Sequence, residues 1–327
     1  MSIGGHLCSS VDPIRYRVVF FGTPEFAVPT LQALIDGPDE VVGVVCQPDR
    51  PAGRGQKLQA PPVKVLAQAC GLHIAQPTKL KSGEFPDVLA NWRPDLAIVA
   101  AYGRILPARL LETPHLGCIN VHASLLPAYR GAAPIQWAIL NGDDETGVTI
   151  MRMNERMDEG DILLQRPTPI GAEETYGALQ TRLAEIGAAA LMDALDASTA
   201  GTLTPAPQDH ARATLAPMIS KAQGAIDWRD SATLIERRVR AFNPWPSAYT
   251  TLRGKLLKIH VARVETGPGE AGCIVDVSDA IRVATGDGIR ASESLQLEGR
   301  KAMGAIEFAH GGALAAGEQL GAQGATG

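Results

Sequence analysis

Residues 117–127 read GCINVHASLLP. Cys118, Ile119 and Val121 form a short apolar run without strict polar alternation, as expected of a strand covered on both faces. Ser-Leu-Leu-Pro then turns the chain. Three earlier runs share this character: RVVFFG (17–22), VVGVVC (41–46) and DLAIVAA (95–101). Between them lie the amphipathic stretches PEFAVPTLQALID (24–36) and PVKVLAQACG (62–71). Strands alternating with helices imply βαβ units, hence an α/β, Rossmann-like, mostly parallel sheet with helices on both faces. Ligands of such sheets bind at the carboxyl ends of the strands, which is where Asn120 and His122 stand. Farther on, TGVTIMRM (146–153) and DILLQRPTPI (161–170) predict two more strands. TYGALQTRLAEIGAAALMDALDA (175–197) predicts the longest helix, with Leu179, Leu183, Ile186 and Leu191 on one stripe.

A chain of 327 residues, 45% of them apolar, has the material for two cores. The first domain is expected over 15–197, followed by a Pro/Thr/Ala linker at 198–217. Beyond it, DSATLIERRVRAF (230–242) predicts a helix. AYTTLRG, KLLKIHVARV, GCIVDVS and AIRVATGDG are short strands between Gly or Asp turns, the pattern of a small OB-like β-barrel over 218–310. Residues 1–14 read as a disordered N-terminal arm, and Gly/Ala-rich 311–327 as a flexible tail. Five cysteines without a C-x-x-C pair argue against a disulfide framework and a cysteine-rich zinc site. No basic-then-apolar leader and no uncharged apolar run of membrane-spanning length stands in the chain, so a cytoplasmic protein is expected.

The net charge of −5 speaks against a generally basic, nucleic-acid-coating surface. Two stretches run the other way. Residues 49–64 hold Arg50, Arg54, Lys57 and Lys64 against Asp49, and 236–258 hold Arg237, Arg238, Arg240, Arg253, Lys255 and Lys258 against Glu236. Composition alone would make these solvated faces.

The strand-end pair suits proton transfer and oxyanion stabilisation. An imidazole titrates near neutrality, and an Asn amide is a donor that never titrates. Such a site wants a carboxylate, and Asp158 in the Met-Asp-Glu-Gly turn is the candidate. The bland alternative is a structural histidine beside a helix cap. Ser124 lacks the G-x-S-x-G surroundings of a nucleophile. His122 and Asp158 lack a third metal ligand at readable spacing, so no metal is expected. FFGTPEF has only Gly22 where a dinucleotide needs G-x-G-x-x-G, so NAD is not expected either.

Asn120, His122, Ser-Leu-Leu-Pro and Asp158, in that order within residues 117–163, resemble the folate-dependent formyltransferase family. FFGTPEFAVPTL, QPDRPAGRGQKL, PDLAIVAAYGRILP and AFNPWPSAY narrow the resemblance to its branch that formylates methionyl-tRNA, and it runs from Arg17 to Phe308. It implies transfer of the formyl group of 10-formyltetrahydrofolate to the α-amino group of methionyl initiator tRNA, enabling translation initiation, by a monomer without metal. By the same resemblance Asn120, His122 and Asp158 are catalytic. Ser124, Leu125, Leu126 and Pro127, with Arg104, Ile105 and Leu106, contact folate. Arg54, with Lys57 on the same loop, enters the acceptor end of the tRNA, and Lys221, Arg237, Arg238, Lys255 and Lys258 meet its phosphates. Trp245 in NPWP (243–246) is expected to anchor the junction of helix and barrel. Two alternatives stand beside this. A sugar-nucleotide formyltransferase or formyltetrahydrofolate hydrolase domain would share the trio without a use for Arg54, and a catalytically silent RNA-binding protein would keep only the fold.

Overall fold

The computed structural model of the chain describes residues 15–52, 57–312 and 314–321. The four apolar runs become β1 (Arg17–Gly22), β2 (Glu40–Val45), β4 (Leu96–Ala100) and β5 (Cys118–His122), and the two-residue strand β3 (Ile74–Ala75) lies between β2 and β4 in sequence. Helices α1 (Val28–Asp36), α2 (Pro62–Ala69) and α3 (Phe85–Asn91) connect them. Each has a proline in its first turn, where the missing N–H costs no hydrogen bond. After β5 come α4 (Pro134–Asn141), β6 (Glu145–Arg152), β7 (Ile162–Pro169) and α5 (Tyr176–Thr199).

The seven strands form one sheet in the order β7-β6-β5-β4-β1-β2-β3. β1 pairs in parallel with both β2 and β4, β5 runs parallel to β4, and β6 is antiparallel to β5. The chain winds outward from β1 to β3 and then returns to β4 on the other side, so the order reverses at β1 and β4. That is the switch point beside which ligands of open sheets bind. Val18, Val19 and Phe20 are fully buried and Phe21 nearly so. Each such side chain contributes about 1.5–3 kcal/mol on leaving water.

The second sheet is antiparallel, in the order β8-β9-β12-β11-β10, and curls into a half-barrel. It comprises β8 (Ala248–Leu252), β9 (Lys255–Glu265), β10 (Ile274–Asp276), β11 (Ile281–Ala284) and β12 (Ile289–Leu297). Its core of Leu257, Ile259, Val283 and Leu295 is closed by Ile235 and Val239 of α6 (Ala232–Ala241) and by Phe308 of α7 (Ala305–Gly312). The Ser231 hydroxyl caps α6 by accepting the Leu234 N–H. No apolar run signals β12, because this central strand buries Arg290 and Ser292.

Among the described residues the chain forms two compact units. One takes in 15–127, 148–166 and 183–212, and the other 128–147, 167–182 and 213–321. The linear boundary expected from the sequence differs because α4 packs on α6, where the Arg237 guanidinium donates to the Asn141 carbonyl at 3.2 Å. The presumed linker is also structured. α5 runs on to Thr199, Ala206 bridges Ile162, and Leu215–Ala216 pairs with Arg130–Gly131. Residues 314–321, within the stretch expected to be a flexible tail, are packed into the second unit. Leu314 and Leu320 are buried in the half-barrel core, and Gly317 N–H donates to the Ile274 carbonyl at 2.8 Å. The expected arm at 1–14 lies outside the described residues.

Candidate active site at the strand ends

β5 brings Asn120 and His122 to one face of the sheet, because side chains two residues apart share a face. Asn120 is partly exposed and His122 is buried at 6% exposure, so the amide borders solvent while the imidazole sits beneath. Opposite them across the β5–β6 pair stand Met151 and Thr149. Thr149, fully buried, organises the turn that follows. Its hydroxyl donates to the Ser124 carbonyl at 2.6 Å and accepts the Leu126 N–H at 3.0 Å. The Gln165 amide donates to the Leu126 carbonyl at 2.9 Å and to the Thr149 hydroxyl at 3.0 Å. These bonds hold the Ser-Leu-Leu-Pro turn, whose Leu126–Pro127 peptide is cis. Ser124 and Leu126 point inward, leaving Leu125 and Pro127 half-buried as the surface this turn presents. Thr149 and Gln165 carried no signal in the sequence, since a polar residue in a strand usually faces water.

Asp158 comes from the turn joining β6 to β7. Its Oδ2 lies 3.8 Å from His122 Nδ1, with side-chain exposures of 15% and 6%. That is ion-pair range for a protonated imidazole, and catalytic contacts commonly tighten when substrate binds. The backbone at Asp158 is left-handed, φ +55°, a region Asp tolerates better than most residues. Gly160 follows because the chain passes too close to itself for a side chain: a Cβ there would strike the Arg152 carbonyl oxygen.

The carboxyl ends of β1, β2 and β4 are tied together at one atom. The Tyr102 carbonyl accepts the Thr23 hydroxyl at 3.1 Å and the Gln47 amide at 3.3 Å. The loop beyond holds the three other expected folate residues. Arg104 donates to the Pro77 and Thr78 carbonyls, each at 3.1 Å, so it braces the loop. Ile105 is 75% exposed and Leu106 is buried. An apolar side chain held open beside the strand ends suits a flat heterocycle. Burial pushes the thiol of Cys46 up to about 11 and that of Cys118 up to about 12, so neither supplies a thiolate nucleophile at neutral pH. Among the described residues no three His, Cys, Asp or Glu side chains cluster to hold a metal ion.

The basic residues fare unequally. The loop expected at 47–62 carries a short antiparallel pair. Arg50–Ala52 pairs antiparallel with Lys57–Gln59, making a two-stranded hairpin with Lys57 exposed. Arg54 lies outside the described residues. Lys221 is exposed in a 3-10 turn, Lys221–Gly224. Arg238 is spent within the protein, donating to Asp230 Oδ2 at 2.9 Å. Lys255 and Lys258 both lie on β9, but three residues apart they fall on opposite faces of the strand. Trp245 is 46% exposed, not the buried anchor expected. Phe242, just before the NPWP stretch, is buried at 1% exposure, and the Asn243 amide ties the turn to the His260 carbonyl at 3.0 Å.

The formyl transferase family model matches residues 16–195, and the model of the formyl transferase C-terminal domain matches 218–312. The chain belongs to the formyl transferase family. Within it, the chain is 49% identical to the methionyl-tRNA formyltransferase of Desulfotalea psychrophila over 303 residues, 92% of this chain and 94% of that one. It is also 49% identical to the methionyl-tRNA formyltransferase of Myxococcus xanthus over 306 residues, 93% and 98% of the two chains. Two solved structures share the family fold. HypX from Aquifex aeolicus in complex with tetrahydrofolic acid has a TM-score of 0.62 at 18% identity, covering 90% of this chain and 47% of its own. The sugar 3N-formyl transferase WlaRD has a TM-score of 0.62 at 16% identity, covering 87% and 98%.

Proposed function

We infer that this chain transfers the formyl group of 10-formyltetrahydrofolate to the α-amino group of methionine esterified to initiator tRNA. The observation that carries the mechanism is the His122–Asp158 pair, 3.8 Å apart, with Asn120 on the same face at the same strand end. Near-half identity to methionyl-tRNA formyltransferases over more than nine-tenths of the chain supports the substrate pair.

The folate donor, when bound, supplies the formyl carbon. Attack by the neutral amine places negative charge on the formyl oxygen, and the Asn120 amide and the His122 imidazolium are the donors for it. Asp158 stabilises the imidazolium and takes up the proton that the amine loses as the new C–N bond forms; as the old bond between the formyl carbon and the folate nitrogen breaks, that proton passes to the departing nitrogen, so none is gained or lost. Ser124, Leu125, Leu126 and Pro127 form one wall of the folate site, with Leu125 and Pro127 at its surface. Arg104, Ile105 and Leu106 form the other, with Ile105 as the contact and Arg104 as its brace. On the tRNA side Arg54 and Lys57 serve the acceptor end, and Lys221, Arg237, Lys255 and Lys258 serve the phosphates. No helix among the described residues is long and apolar enough to cross a membrane.

The test is formylation of methionyl initiator tRNA with 10-formyltetrahydrofolate, run beside free methionine and methionyl elongator tRNA. Turnover confined to the initiator is the expected result. Turnover of folate with none of the three acceptors formylated would refute the reading and point to another formyl-folate enzyme.

A further inference from the structure

Residues 198–217 look like a linker in the sequence, yet they touch the turn that carries Asp158. Ala206 and Ile162 exchange two backbone hydrogen bonds of 2.8 Å each, which lays the segment beside the start of β7. Two residues later Gln208 turns inward, with 6% of its surface exposed. Its amide nitrogen donates to the Asp158 carbonyl at 2.8 Å and to the Gly160 carbonyl at 2.7 Å. A primary amide has two N–H groups, and this one spends both on the carbonyls flanking Glu159. The same turn holds Asp158 at φ +55° and leaves no room for a side chain at Gly160. The direction of a Cα–Cβ bond is set by its own backbone, so relaxation of Asp158 out of the left-handed region would swing its carboxylate away from His122.

We propose that Gln208 is a positioning residue for formyl transfer, locking the 158–160 turn in the backbone conformation that aims the Asp158 carboxylate at His122 Nδ1. The proposal rests on the catalytic reading given above. It makes a segment without a recognisable motif part of the catalytic apparatus, through Asp158 and without contact to substrate.

The test compares Gln208→Met, which keeps the length and removes both donors, with Gln208→Ala, where a water can bridge the two carbonyls if the Met variant does not fold. A loss in kcat of about ten- to hundredfold is expected, as for a misplacement near 1 Å, with KM for both substrates changed less than twofold. In an Asp158→Asn background the same substitution is expected to add no further loss. Equal losses with and without Asp158, or a wild-type kcat in Gln208→Met, would overturn the proposal. A readout independent of turnover is the ring 15N chemical shifts of His122. Gln208→Met should move them in the direction that Asp158→Asn does, and unmoved shifts would overturn the proposal even if the protein proved to formylate a different acceptor. Failure of the wild-type enzyme on methionyl-tRNA with these shifts moved would instead refute only the substrate assignment.

Discussion

Replacing Asp158 by Asn tests the catalytic pair most cleanly, because Asn is nearly isosteric and also tolerates the left-handed backbone that Asp158 adopts at φ +55°. The substitution therefore removes a charge without adding strain, whereas Ala would add about 1–2 kcal/mol of backbone cost. The charge that is lost lies 3.8 Å from His122 Nδ1. With an effective dielectric constant of about 20, a full unit charge on the imidazole at that distance interacts by about 4 kcal/mol. If only half of that interaction is gained on going to the transition state, the figure is about 2 kcal/mol. At 1.36 kcal/mol per decade these correspond to losses in kcat of roughly thirtyfold to a thousandfold. Side-chain exposures of 6% and 15% mean that mobile ions screen the pair weakly, so the ratio of wild-type to variant kcat is expected to stay constant from low to high salt. The assay is single-turnover formylation of methionyl-tRNA, with thermal unfolding as a control for folding. A loss smaller than fivefold, or one that vanishes as salt is raised, would refute the assignment of Asp158 as the partner of the His122 imidazolium.

Asn120→Ala is expected to lower kcat by about a hundredfold or more, as for other oxyanion donors, while its melting temperature stays near wild type; turnover within threefold of wild type would remove Asn120 from the mechanism. Lys255→Ala and Lys258→Ala together should flatten the dependence of tRNA affinity on log salt by about one to two units of slope, and because the two lie on opposite faces of β9, the single variants should show which face meets phosphate. Arg290 is fully buried on β12, its three guanidinium nitrogens have no partner among the described residues, and burial pushes it down to about 10. Arg290→Met is therefore expected to stabilise the fold by about 1–3 kcal/mol, and calorimetry showing a lower melting temperature would reveal a partner for the charge. Only the thiolate alkylates, so Cys118 and Cys46, held at about 12 and about 11, should stay unlabelled by iodoacetamide at pH values well below those figures and become reactive as pH rises toward them; peptide mass spectrometry reads this directly.

The parallel sheet was legible because β1, β2, β4 and β5 are local apolar runs, and burial on both faces demands such a run whatever its neighbours are; the two-residue β3 is too short to leave such a mark. Asn120 and His122 were legible for a related reason: a period of two places them together at the end of a strand, where this architecture binds ligands. β12 was not legible, since its buried Arg290 and Ser292 break the apolar pattern. The expected burial of Trp245 failed because a tryptophan between two prolines says nothing of what stands beside it; the neighbouring Phe242 is buried while Trp245 is 46% exposed.

What the sequence by itself determined was therefore local and chemical: the α/β class, the strand-end donors, the acid in the Met-Asp-Glu-Gly turn and the family that these motifs resemble. Only the tertiary structure decided which groups meet. The 3.8 Å approach of Asp158 to His122, the Thr149 and Gln165 bonds beneath the Ser-Leu-Leu-Pro turn, and the engagement of Arg238 by Asp230 set which side chains remain available for chemistry. Gln208 meets the Asp158 turn from fifty residues away in sequence. A hydrogen bond depends on a distance of a few tenths of an ångström and on direction, and neither is encoded in the spacing of residues along the chain until the sheet and its connections have brought their backbones together.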